Sequence, residues 1–171
     1  MPSPSDELCA GVSATTTRLA AMALLCALNA CASNLIVADQ VPTLPPGTGI
    51  AAVVLDTADP ISQVLLVPAA GQGGKLSIPT AAAGRTLYLL VAPAGRYCMH
   101  QFHFDALVFA ARSDTSCFDV QAGAISYSGD FAPRVVDGTV VIEQNDNYQA
   151  FMQLLQAGYP KLAAKIPVVP R

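Results

Sequence analysis

The sequence predicts a mainly β domain, a sandwich or small barrel, carrying one C-terminal helix and preceded by a leader and a linker. Three observations lead there. A series of short apolar runs between residues 50 and 142 is broken by turn residues at close spacing. Thirteen prolines and twelve glycines favour many short elements over a few long helices. Helical periodicity of apolar residues is strong only near the end of the chain.

The 171-residue length suits one domain plus extensions. Only 12% of residues are charged, about half the globular norm of roughly 25%, and the deficit is concentrated in the alanine-rich first third. The net charge of −3 gives no electrostatic footprint for nucleic acid. No apolar stretch reaches the roughly 18 residues of a permanent membrane-spanning helix.

Residues 19–28 are apolar without a break, and Arg18 precedes them. A cation, a run of about 7–15 apolar residues and then small residues make a secretory signal. Residues 1–30 are therefore assigned as a signal peptide. The segment before Arg18 carries Asp6, Glu7 and two prolines, unlike a compact basic leader, and one reading starts translation near Val12. Residues 31–49 include Pro42, Pro45, Pro46, Gly47 and Gly49 and are expected to be a flexible linker, in which the roughly fifteen residues from Asn34 to Gly49 reach about 50 Å when stretched.

The β domain is assigned to residues 50–145. Strands are expected at 50–55, 64–67, 76–78, 86–92, 96–104, 106–110, 117–120, 125–128 and 139–142. Turn clusters separate them at Asp56-Thr57-Ala58-Asp59-Pro60, Gly71-Gln72-Gly73-Gly74 and Pro93-Ala94-Gly95. In residues 146–171, Tyr148, Phe151, Met152, Leu155 and Tyr159 recur at helical spacing. Asn145, Asp146 and Asn147 offer an N-cap, and Gly158 with Pro160 offers a stop. The aromatic stripe of this helix is expected to pack on a sheet.

The end of the leader, Leu28-Asn29-Ala30-Cys31, resembles the lipobox of bacterial lipoprotein precursors. Leu28, Ala30 and Cys31 fit the pattern, whereas Asn29 departs from its small-residue preference. The resemblance implies diacylglycerol on the Cys31 thiol, cleavage before Cys31 and a fatty acid such as palmitate on the new amine. Two or three acyl chains anchor a protein stably where one does not, at about 0.8 kcal/mol per buried methylene. Ala32, rather than Asp, follows the cysteine, which resembles the pattern sent to the outer membrane and implies a periplasm-facing domain. Cleavage after Ala32 within Ala30-Cys31-Ala32 would instead release a soluble secreted protein, for example an inhibitor. Cys26 follows the bulky Leu25 and fits poorly, and Cys9 lies before the apolar run.

A second resemblance covers roughly residues 50–145. Pro93-Ala94-Gly95-Arg96-Tyr97-Cys98, then Cys117-Phe118-Asp119-Val120-Gln121-Ala122-Gly123, Tyr127 and Gly129-Asp130, look like small bacterial lipoproteins with a prealbumin-like β-sandwich. That implies an antiparallel sandwich and no particular activity.

Outside the cytoplasm, Cys98 and Cys117 are expected to form a disulfide, with two buried free thiols as the alternative. His100, His103 and Asp105 invite a metal reading, but positions 100 and 103 of a regular strand face opposite ways and would converge only across a bend or bulge. Zinc needs three or four ligands, and no third is evident, so no metal site or other cofactor is expected beyond the lipid on Cys31. Gly71-Gln72-Gly73-Gly74-Lys75 lacks the first glycine of a phosphate loop, where Ala69 stands, and Leu76 replaces its Ser or Thr. It reads as a hairpin turn. No Gly-x-Ser-x-Gly elbow and no calcium-loop spacing occurs. These observations predict a non-enzymatic, outer-membrane-anchored lipoprotein with a structural or protein-interaction role and an envelope protein as partner. The alternative is a small periplasmic ligand- or metal-binding domain using His100 and His103.

Overall fold

The computed structural model describes residues 34–37, 40–70, 74–104, 106–111 and 116–171. Residues 34–171 form one compact unit, a β-sandwich with helices on one outer face. The first sheet is built on β1 (Thr48–Thr57), β4 (Gly84–Pro93), β8 (Ile125–Val136), β9 (Thr139–Asn145) and β10 (Val168–Val169). Its order is β10-β8-β1-β4, with β9 also on β8. The second contains β2 (Gln63–Pro68), β3 (Leu76–Ile78), β5 (Gly95–Phe104), β6 (Leu107–Ala110) and β7 (Cys117–Val120). Its order is β3-β2-β5-β6, with β7 beside β6 along the same edge of β5.

Each expected strand is present. Most pairings are antiparallel, but β8 runs parallel to both β1 and β10, so the first sheet is mixed. Parallel neighbours require long crossovers; here the whole second sheet separates β1 from β8, and the helices separate β8 from β10.

The nearly unbroken apolar run of β1 has a simple cause. The strand is central and covered on both faces. Ala51, Val53 and Leu55 point into the inter-sheet core with Leu66, Met99, Phe102 and Phe131. Ile50, Ala52 and Val54 point the other way, into a second core under the helices with Leu89, Ile125 and Tyr127.

Strand β8 continues past Ser128, where the sequence reading ended it. Gly129 has φ +96°, and three β8 residues span two of β1 at this point. This bulge switches the side-chain alternation, so Tyr127 faces the helices and Phe131 the sandwich core. A Cβ on Gly129 would also lie 3.2 Å from the Asn145 carbonyl oxygen.

Helix α1 (Tyr148–Gly158) buries Phe151 and Leu155 on the first sheet, as its spacing predicts. Full burial of such side chains contributes about 1.5–3 kcal/mol each. Asn147 occupies the N-cap position, but its side chain makes no capping bond; its backbone N–H instead donates to the Tyr127 hydroxyl at 2.9 Å. Pro160 ends α1 and opens the short helix α2 (Pro160–Lys165), whose missing N–H is harmless in a first turn.

Within the segment expected as a flexible linker, residues 34–37 and 41–44 are held on the domain. The Asn34 carbonyl accepts from Val91 N–H, and Ile36 N–H donates to the Leu89 carbonyl, each at 2.8 Å. Ile36 is buried, and Val41 and Leu44 pack beside it in the helix-side core. The edge of β4 thus takes up chain that composition alone reads as free. Among the described residues, no helix is long and apolar enough to cross a membrane.

Candidate functional site

The sandwich has two distinct ends. At the proximal end lie Thr48, Pro93 and Gly95, and here the chain joins the domain at Asn34 beside Val91. At the distal end lie Thr57, Gly84, Phe104 and the β8–β9 hairpin. Among the described residues, six large apolar side chains are strongly exposed. Five of them, Leu107, Val108, Val135, Val136 and Val141, belong to the two distal hairpins. Val37 is the sixth. Isolated exposed apolar residues need no explanation, but five gathered at one end single it out as the candidate surface.

Local sequence builds this end. Asp137 and Gly138 have φ +49° and +74°, the paired positive angles of a tight two-residue hairpin. The turn carries β8 and β9 beyond the edge of the core, leaving Val135, Val136 and Val141 half-exposed. In the opposite sheet, β5 turns into β6, and Phe104 meets Phe109 edge-on at 5.7 Å. Between the sheets opens a cavity of about 370 Å³, lined by Phe104, Leu107 and Phe109 on one side and Pro133, Arg134 and Val135 on the other. Thr57, Ala58 and Asp59 form its floor. Asp56, Asp59, Asp137 and Glu143 are exposed around this end. Arg134 reaches Glu143 at 3.5 Å, with both side chains more than half exposed, so this pair contributes little.

A buried polar cluster lies on the helix side. Arg85 Nε donates to Asp130 Oδ2 at 2.9 Å, and its terminal nitrogen lies 2.7 Å from the same oxygen. The Tyr127 hydroxyl donates to Asp130 Oδ1 at 2.8 Å and accepts from Asn147 N–H. Burial, above all, pushes the Tyr127 phenol up to about 12, with the Asp130 carboxylate adding to the effect. A phenol held neutral this firmly is no nucleophile near neutrality. The cluster joins β4, β8 and the start of α1, and its chemistry is that of a structural clamp.

Cys31 lies outside the described residues. Cys98 and Cys117 are bonded, with an S–S distance of 2.04 Å, directly opposite each other on β5 and β7. His100 occupies a β-bulge, because Leu65 pairs with Gln101 while Leu66 pairs with Met99. The irregularity that convergence of His100 and His103 requires is therefore present. Among the described residues, however, no three His, Cys, Asp or Glu side chains gather as a metal site. Asp105 and residues 71–73 lie outside the described set, while Lys75 sits in the β2–β3 connection.

The distal end was not evident in the sequence as a site. Asp137-Gly138 between apolar residues is a strong hairpin signal, but only the sheet order brings that hairpin beside Leu107 and Val108. No protein-family model matches the chain, and neither a curated protein nor a solved structure does.

Proposed function

We propose that this chain is a lipoprotein anchored in the bacterial outer membrane through diacylglycerol and a fatty acid on Cys31, facing the periplasm, with a structural or protein-interaction role and no catalysis. The polarity of the domain supports this reading. The chain joins the sandwich at one end, and the exposed apolar cluster lies at the other. Cys31 stands three positions before Asn34, so the stretched connection covers only roughly 10 Å. The ten residues of β1 span about 30 Å from the proximal to the distal end. A lipid on Cys31 would therefore hold the proximal end near the headgroups and present the distal end to envelope proteins. Ala32 after the cysteine, which resembles the outer-membrane sorting pattern, supports the outer membrane as the destination.

The test is metabolic labelling with a fatty-acid analogue, followed by separation of inner and outer membranes. The wild type is expected to carry label and sediment with the outer membrane, and Cys31→Ser to carry none. Equal labelling of both proteins would end the proposal.

A further inference from the structure

We infer that the distal end receives an extended, basic and apolar segment of a protein partner, which adds as a strand to the free edge of β6. The inference rests on the preceding reading for the outward direction of this end, and it names the kind of partner.

The edge is the first observation. β6 ends its sheet, and among the described residues nothing pairs with its outer side. Ala111 N–H donates to the His100 carbonyl at 2.8 Å. In an antiparallel ladder the bonded positions alternate, so 111, 109 and 107 turn toward β5. Val108 and Ala110 consequently direct their N–H and C=O groups outward. Exposed edges are ordinarily protected by lysine, proline, a bulge or a cover. The stretch Leu107-Val108-Phe109-Ala110 has no lysine or proline, its pairing with β5 is regular, and Leu107 and Val108 are 62% and 56% exposed. An added strand would satisfy these backbone groups and turn alternate side chains toward the apolar cavity beside Leu107 and Phe109.

Charge then decides which occupant fits. Among the described residues, Asp56, Asp59, Asp137 and Glu143 surround the end, against Arg134, which already meets Glu143, and Arg85, which stands opposite Asp56 but is engaged by Asp130. Two distal ends brought together would set carboxylates against carboxylates, which disfavours a second copy of this chain. An anionic lipid surface is repelled for the same reason. A peptide alternating apolar residues with Lys or Arg satisfies edge, cavity and rim together.

The test uses the full chain, isotope-labelled in detergent micelles, and two heptapeptides, one alternating Lys with Val and the other Glu with Val. The basic peptide is expected to shift the Val108 and Ala110 amide resonances and to bind about tenfold tighter than the acidic one at low salt. Val108→Pro removes an outward donor without removing a bond to β5, so the fold should survive. It should weaken the basic peptide about tenfold. The double variant Asp56→Lys/Asp59→Lys should reverse the charge preference while leaving the edge intact. Equal binding of the two peptides, wild-type affinity in Val108→Pro, or no shift in β6 up to about 1 mM peptide would overturn the inference. Concentration-dependent β6 shifts without peptide would overturn it in favour of self-pairing. None of these outcomes depends on lipidation, so the anchor reading stands or falls separately.

Discussion

Replacing Tyr127 by Phe removes one oxygen from the centre of the Arg85–Asp130 cluster and leaves the ring in place. The ring stacks on Phe151 with centroids 4.5 Å apart and planes 15° apart, so packing is retained. Two hydrogen bonds disappear, the 2.8 Å bond to Asp130 and the 2.9 Å bond from Asn147. Asp130 keeps its bonds to Arg85, whereas Asn147 N–H loses the partner shown for it. A hydrogen bond to a charged group contributes about 1.5–3 kcal/mol, and an orphaned donor adds to the loss, so destabilisation of about 2–4 kcal/mol is expected. A pH signature accompanies it. The native phenol titrates at about 12 against an ordinary value of 10.0. The folded state holds the proton more tightly, so this contribution is full below pH 10 and is lost as pH rises from about 10 to 12. After allowance for solvent screening, that loss is roughly 2 kcal/mol. The assay is urea unfolding of wild type and Tyr127→Phe between neutral pH and pH 12. The variant should start less stable and decline less steeply. Burial also raises Tyr97 and Tyr159, so some alkaline decline should remain. A change below about 0.5 kcal/mol at neutral pH, or identical alkaline slopes, would refute the clamp.

Three further outcomes follow from packing and covalent structure. Phe151→Ala leaves a hole between α1 and Tyr127 and should cost about 3–5 kcal/mol in chemical unfolding. The double variant Cys98→Ala/Cys117→Ala opens a link across 19 positions and should lose about 3 kcal/mol, with unreduced wild type resisting thiol alkylation. Gly49→Ala would drive a Cβ into the Gln121 carbonyl where β1 passes the β7–β8 connection, and should lower soluble yield and thermal midpoint well below those of Gly74→Ala, which meets open space.

Much of this fold is legible because its elements announce themselves locally. The run 86–92 and the stripe Phe151, Leu155 on α1 carry their periods in the sequence, and turn residues bound them. The cysteine pairing was also accessible, since few partners remain once the leader is set aside. What failed to show depends on distant partners. Leu35 and Ile36 look like linker until β4 supplies carbonyl and amide groups beside them. Gly129 and Pro133 suggest the end of a strand, yet β9 pairs through Asp130–Val136. Val168 and Val169 lie between prolines and become a strand only beside Ile125 and Ser126. The distal site is of the same kind. Leu107 and Val135 are 28 positions apart, and only sandwich topology brings them to one cavity.

The anchor depends on one residue, Cys31, and mass spectrometry of the processed N-terminal peptide from purified envelopes reads its chemical state. The expected peptide begins at Cys31 and carries the added mass of a diacylglyceryl group and an amide-linked fatty acid. An unmodified peptide beginning at Ser33, or one retaining Cys31 together with leader residues, would contradict the anchor.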